Sequence, residues 1–182
     1  DAVIDEVELM FHHSALMVAA LNGHEKTVDI LLNAGADPML KDTSGRSALL
    51  LAASNNHLSL VIQLLDAGQK WDQKDTHGNG IWHLMAMSDV EIEDSKTSYG
   101  SGQKEEGASM VMHELISRGV LLDSLNSAGE TALMIAVKRG KVRTIKSLLE
   151  LGASPDIQTP DGESALTLAK TSGNDKLVKL LR

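Results

Sequence analysis

The stretch that decides the fold is Gly45-Arg46-Ser47-Ala48-Leu49-Leu50-Leu51-Ala52-Ala53, because a hydroxyl residue followed by small and apolar ones recurs along the chain. It returns as Ser14-Ala15-Leu16-Met17-Val18-Ala19-Ala20, as Thr131-Ala132-Leu133-Met134-Ile135-Ala136-Val137 and as Ser164-Ala165-Leu166-Thr167-Leu168-Ala169. Ser14 and Ser47 stand 33 residues apart, as do Thr131 and Ser164. The glycines keep the same time: Gly35 to Gly68 and Gly119 to Gly152 are also 33. Such a period marks stacked supersecondary units, none of which buries its apolar face alone.

Each unit begins with a Gly turn and a Ser or Thr able to accept a bond from an early helix N–H. A first helix rich in Ala and Leu follows, then a turn such as Asn22-Gly23-His24 or Asn55-Asn56-His57. A second helix closes on paired leucines, Leu31-Leu32, Leu64-Leu65, Leu148-Leu149 and Leu180-Leu181. Gly35, Gly68, Gly119 and Gly152 are placed to supply the left-handed residue that ends it.

With Asp42-Thr43-Ser44-Gly45-Arg46-Ser47-Ala48-Leu49 opening one unit and Ala34-Gly35-Ala36-Asp37-Pro38 closing another, the chain resembles the ankyrin repeat family from about Ser14 to Arg182. The family unit reads roughly D-x-x-G-x-T-P-L-H-x-A-A-x-x-G-H, then V-x-x-L-L, then G-A-D-x-N. The resemblance implies an all-α repeat solenoid of L-shaped units, two antiparallel helices and a β-turn finger each, stacked into a slightly curved array. About five units are expected, at 14–38, 39–71, 72–122, 123–156 and 157–182. A partial repeat or N-terminal cap precedes them at 1–13.

The chain also departs from the family pattern. Its Pro is replaced by Ala15, Ala48, Ala132 and Ala165, and by Ile81 in the middle unit, and its His survives only as His83. The helix starts must then depend on the Ser or Thr cap and on packing. The Asn of G-A-D-x-N is Met39, Asp72, Asp123 and Asp156. Asp still bonds the turn backbone, but the asparagine that some family members offer to an asparaginyl hydroxylase is gone from these places.

Net charge is −8 over 182 residues, which argues against a nucleic-acid groove or an acidic membrane surface as principal partner and favours a basic or neutral peptide. Hydrophobic residues make up 42% and aromatics only 2%, a composition suited to helices stacked closely on small side chains. There is no cysteine, hence no disulfide framework or thiolate nucleophile, and a reducing intracellular compartment, the cytoplasm, is expected. No apolar run approaches a membrane span and no basic-apolar leader is present. The chain starts at Asp1 and stops just after a leucine pair, so a piece of a larger protein is expected.

In Asp1 to His13, Val3, Val7 and Met10 are spaced for one helix face, the capping element named above. His12-His13 has no evident third ligand, and adjacent residues on a turn rarely converge on one ion. Trp71 is expected to pack under its finger. The third unit exceeds the period by 18, since Gly78 to Gly129 is 51. The extra residues, about 89–107, fall between a first helix at Trp82 to Met87 and a second at Ser109 to Ile116. They are polar, acidic and rich in Gly and Ser, and read as a mobile loop. Such a loop leaves the stack intact. It is either a partner-specific or regulated arm, with hydroxyls at Ser95, Thr97, Ser98 and Tyr99, or a tolerated insertion. Trp82 replaces a core Leu and His83 occupies the structural His position, so both are expected inside. Lys138-Arg139-Gly140-Lys141, with Arg143 and Lys146, forms one basic cluster: a solvated helix end, or a docking spot for an acidic peptide or phosphate.

No Walker loop, dinucleotide Gly fingerprint, G-x-S-x-G elbow or H-E-x-x-H pair occurs, and paired carboxylates such as Glu105-Glu106 lie in the insertion. No catalytic residue, cofactor or metal site is assigned, and the chain is not expected to be an enzyme. The leading expectation is a protein-interaction module that holds a partner segment or surface on its concave side. By resemblance, finger and first-helix positions would carry it: Thr43, Ser44, Arg46 and Asn55; Thr76, His77 and Asn79; Ser127, Ala128, Glu130, Lys138 and Arg139; Asp161 and Glu163. The alternatives are a substrate-docking or regulatory segment of a larger enzyme or channel, and a purely structural spacer.

Overall fold

The computed structural model describes residues 12–90 and 104–182. The expected capping helix before His12 lies outside the described residues, as do Ser95, Thr97, Ser98 and Tyr99. Among the described residues are ten helices: α1 (Ala15–Leu21), α2 (Glu25–Asn33), α3 (Ala48–Ser54), α4 (Leu58–Asp66), α5 (Ile81–Met87), α6 (Lys104–Ser117), α7 (Ala132–Lys138), α8 (Val142–Glu150), α9 (Ala165–Thr171) and α10 (Asp175–Leu180). No strand occurs among them; Gln158 and Ser164 form an isolated antiparallel bridge.

Helices of seven residues do not persist alone in water. Their neighbours hold them. The first helices form one row, α1 against α3, α3 against α5, α5 against α7 and α7 against α9, while α2, α4, α8 and α10 each pack behind their own first helix. In the middle of the row the Ala- and Leu-rich pattern is buried on all sides, at Ala48–Ala53, Ile81–Ala86 and Ala132–Val137. At the ends one side is free. In α1 only Leu16, Met17, Ala19 and Ala20 are buried, and in α9 only Ala165 and Ala169. The second helices are two-faced: α8 turns Ile145 and Leu148 inward and Arg143, Lys146 and Glu150 outward.

The expected caps are present at three starts. Ser14 Oγ accepts from the Met17 N–H at 3.3 Å, Thr131 Oγ1 from Met134 at 3.3 Å and Ser164 Oγ from Thr167 at 3.2 Å. Ser47 departs from the pattern, since its hydroxyl is buried with no hydrogen-bond partner and α3 is held by packing alone. In the third pair Gly80 stands at the cap, and His83 takes over. Its Nδ1 accepts the Gly80 N–H at 3.3 Å and its Nε2 lies 3.0 Å from the Glu130 carbonyl, an arrangement that a neutral ring protonated on Nε2 satisfies fully. Burial holds His83 below its ordinary value of 6.5. Trp82 is 1% exposed and donates its indole N–H to the Val120 carbonyl at 3.3 Å.

The helix-ending glycines are left-handed, with φ of 90° at Gly35 and Gly68, 88° at Gly119 and 94° at Gly152. Here the absence of a Cβ is what permits the turn. The tight turn between α3 and α4 is made instead by Asn56 at φ 54°, a residue type that tolerates this region. His57 beside it reaches back to the Leu21 carbonyl at 3.1 Å, so the recurrent turn histidine ties one helix pair to the previous one.

Two expectations are corrected. Trp71, expected to pack under its finger, is instead 37% exposed, and its indole lies along Gly119. The insertion is shorter than 89–107, because α6 begins at Lys104 rather than Ser109. The physical reason is propensity. Lys104, Glu105, Glu106 and Ala108 are good helix formers, and a helix already formed from Ser109 onward propagates through them despite Gly107, without needing an apolar face. The base of the insertion is also fastened on both sides: Asn56 donates to the Val90 carbonyl, while Arg139 donates to the Met87 carbonyl at 2.7 Å and lies 3.6 Å from Asp89.

Candidate functional site

The fingers are built on one repeated device, an acceptor side chain at the first residue that binds the N–H groups two and four places on. In the second finger, Asp42 Oδ1 accepts from Ser44 at 2.9 Å and Arg46 at 2.8 Å. In the third, Asp75 Oδ1 accepts from His77 and Asn79, both at 2.8 Å. In the fourth, Asn126 Oδ1 accepts from Ala128 and Glu130, both at 3.0 Å. In the fifth, Thr159 Oγ1 accepts from Glu163 at 3.2 Å. Each finger also closes on itself, for example through Asp42 N–H to Arg46 C=O at 2.9 Å.

Neighbouring fingers are joined by main-chain bonds. Thr76 N–H donates to Ser44 C=O and Ser127 N–H to His77 C=O, both at 2.9 Å. Asn126 Nδ2 adds a bond to Asn79 Oδ1 at 3.0 Å. Gly78 shows how closely the fingers meet: at φ 75°, an added Cβ would stand 2.6 Å from Ser127 Oγ and 2.8 Å from its nitrogen.

These fingers and the underlying α5 enclose a groove of about 700 Å³. Its floor is apolar, formed by Leu84 and Met87, and its walls are Ser44, Arg46, Asp75, His77, Asn79, Asn126, Ser127, Ala128 and Glu130. Of the positions singled out from the sequence, Ser44, Arg46, His77, Asn79, Ser127, Ala128 and Glu130 line this one groove. Asn79 is nonetheless 4% exposed and spent on Asp75 and Asn126, so it shapes the wall rather than reaching out. Thr43 and Thr76 are exposed on fingers outside the groove lining, and Asn55 caps the end of α3. Asp161 and Glu163 are exposed on the fifth finger. Sequence reasoning missed Asp75, Asn126, Leu84 and Met87. The first two were readable from their place at the finger's opening position, 33 residues from Asp42 and Thr159 respectively.

The charges are largely paired. Arg46 holds Asp42 Oδ2 through Nε and Nη2, both at 2.8 Å. Burial raises the Asp42 carboxyl, but the Arg46 N–H, its guanidinium and the Ser44 N–H outweigh burial and hold the group below its ordinary range. Lys138 lies 2.6 Å from Glu130 and 3.9 Å from Glu163. Burial raises Glu130 too, and the Lys138 and Asn126 bonds more than offset it; Lys138 is raised in turn. The basic cluster is therefore divided, Lys138 turned to Glu130 and Arg139 to Met87 and Asp89. Among the described residues no group of three or more His, Cys, Asp or Glu is placed to hold a metal ion. None of the described helices is long and apolar enough to cross a membrane.

Among curated proteins, the chain is 30% identical over 77 residues to the inactive serine/threonine-protein kinase TEX14 of Bos taurus, and 27% identical over 77 residues to that of Mus musculus. Those 77 residues are 42% of this chain and 5% of each relative. The family described as ankyrin repeats (3 copies) matches residues 3–86 and 104–182. That match takes in both halves of the stack on either side of the insertion, and with the finger-and-helix-pair architecture it places the chain in the ankyrin repeat family, whose members are generally non-catalytic protein-interaction modules.

Proposed function

We propose that this chain is a protein-interaction module whose groove between the second and fourth fingers holds a segment of another protein. The observation that carries the reading is the groove itself: an apolar floor of Leu84 and Met87 walled by polar finger groups, the mixture that recognises a peptide by one buried side chain and several polar contacts. The chain's acidity supports a basic or neutral protein partner over nucleic acid or an anionic membrane. Two charges of the groove wall, Arg46 and Glu130, are held in ion pairs with Asp42 and Lys138, which supports a binding surface. The lack of cysteine accords with an intracellular, cytoplasmic setting.

A photo-crosslinking side chain placed at His77 tests this, with a second at Ile30, which is 67% exposed on α2 behind the row of first helices. Adducts with partner protein at His77 and none at Ile30 are expected; the reverse pattern would overturn the reading. The similarity to a twentieth of much longer proteins favours a second reading, that this array is a docking or regulatory segment of a larger chain. The two readings are compatible in mechanism. They differ in whether the array acts as a module in its own right or serves a larger chain, by docking that chain's substrate or by regulating it.

A further inference from the structure

Resting on the groove reading above, we infer that the segment held there carries an arginine or lysine about three to four residues from an apolar side chain. The apolar group sits on Leu84 and Met87, and the cation at the seam between the fourth and fifth fingers. Two independent features single out that seam.

The first is charge. At the second finger the charges cancel, because the Arg46 guanidinium is fastened to Asp42. At the seam two carboxylates, of Glu130 and Glu163, face one ammonium, that of Lys138, and Asp161 stands exposed on the same finger as Glu163. Arg139 does not redress the balance, since it is engaged by Met87 and Asp89. The groove is thus neutral at one end and anionic at the other, which sets the direction in which a charged segment lies.

The second feature is an unspent acceptor. The position that donates a main-chain N–H to the preceding finger is Thr76 in the third finger and Ser127 in the fourth. In the fifth it is Pro160, which has no N–H to give. The carbonyl of Ala128, equivalent to those of Ser44 and His77, is therefore left without that donor. Ala128 lines the groove, and both it and Pro160 are exposed. A guanidinium or ammonium, having donors and no acceptor, suits a carbonyl flanked by carboxylates. The spacing follows from geometry: packed helices sit about 8–10 Å apart and an extended chain covers about 3.3 Å per residue, so the one to one and a half steps from α5 to the seam are about three to four residues.

Panning a library of random dodecapeptides on the purified chain tests this. Selected peptides should share a basic residue three or four places from Leu, Ile, Met or Phe. The double variant Asp161→Lys with Glu163→Lys should weaken them about tenfold or more, a difference that shrinks at high salt. Pro160→Thr, which supplies the missing N–H from within, should weaken them about fivefold while leaving the melting temperature nearly unchanged. His77→Trp, which fills the groove, should abolish binding. Peptides that respond to His77→Trp but share no basic position, or are indifferent to the charge reversals, overturn this inference and leave the groove reading standing. An unchanged affinity for Pro160→Thr overturns the part given to the Ala128 carbonyl. If no peptide is selected, or binding ignores His77→Trp, the groove reading itself fails.

Discussion

The second, third and fourth fingers and the fifth are made to one plan, yet they are fastened differently. Between the second and fourth, every step carries a main-chain bond, and Asn79 and Asn126 add a side-chain link. Below them α3, α5 and α7 are enclosed on all sides. The fifth finger meets the fourth through Pro160, without that bond, and beneath it α9 buries only Ala165 and Ala169 while α10 buries only Leu177. In a stacked array stability is a sum of unit and neighbour terms. The comparison therefore predicts a firm centre and a loose C-terminal end, with the groove built on the firm part and its anionic rim on the loose one.

The largest test strikes the centre. Trp82→Ala removes a buried indole and its bond to Val120, and should cost about 3–5 kcal/mol. Denaturant unfolding followed by circular dichroism should show the loss shared by the helices on either side. If amide exchange accelerates only in α5 and α6, the units are less coupled than the shared burial of α3, α5 and α7 implies. The next test is the link between fingers. Asn126→Ala frees two N–H groups and breaks the bond to Asn79, at a cost of about 1–3 kcal/mol, whereas Thr159→Ala in the fifth finger should cost about 1 kcal/mol or less. Equal losses at the two sites would erase the contrast.

A pH titration sharpens the same contrast. His83 is held neutral by burial, bridging Gly80 and Glu130, so its folded value lies below 6.5 while an unfolded His stays near it. The unfolded chain binds the proton first as pH falls. Stability is therefore fully present above about pH 6.5 and declines as pH is lowered from there toward the depressed folded value. His83→Gln should be less stable at neutral pH and lack this decline. A His83→Gln variant with the same slope would assign it to another group.

The period of 33, the caps and the turn glycines were legible because each is a local rule repeated, and repetition makes a weak signal strong. Trp82 and His83 were legible for the same reason, as substitutions at known positions in a pattern. What escaped were effects that act across units. The start of α6 at Lys104 depends on extending a helix anchored elsewhere, and the indole of Trp71 lies against Gly119, 48 residues away. The pairing of Lys138 with Glu130 splits a basic run that looks continuous in sequence. Seven of the eleven residues that line the groove were named from finger positions, but its floor, Leu84 and Met87, reads as ordinary core in the sequence because only the standing fingers leave it open.

Pro160→Thr is the smallest of these effects and the most pointed. The second and third fingers show the outcome in advance, since Thr76 sits against Gly45 in the place that Pro160 takes against Gly129. The new amide at position 160 would gain a bond to Ala128 worth about 0.5–1.5 kcal/mol. Losing the ring loosens the unfolded chain and takes back about 0.4–1 kcal/mol. The two nearly cancel, so global stability should change by less than about 1 kcal/mol. The discriminating reading is local: hydrogen exchange of the new amide should be slowed to match that of Thr76, and exchange in α9 should slow with it. An amide at position 160 that exchanges as fast as a free loop would mean that supplying the donor is not enough to fasten the fifth finger to the fourth.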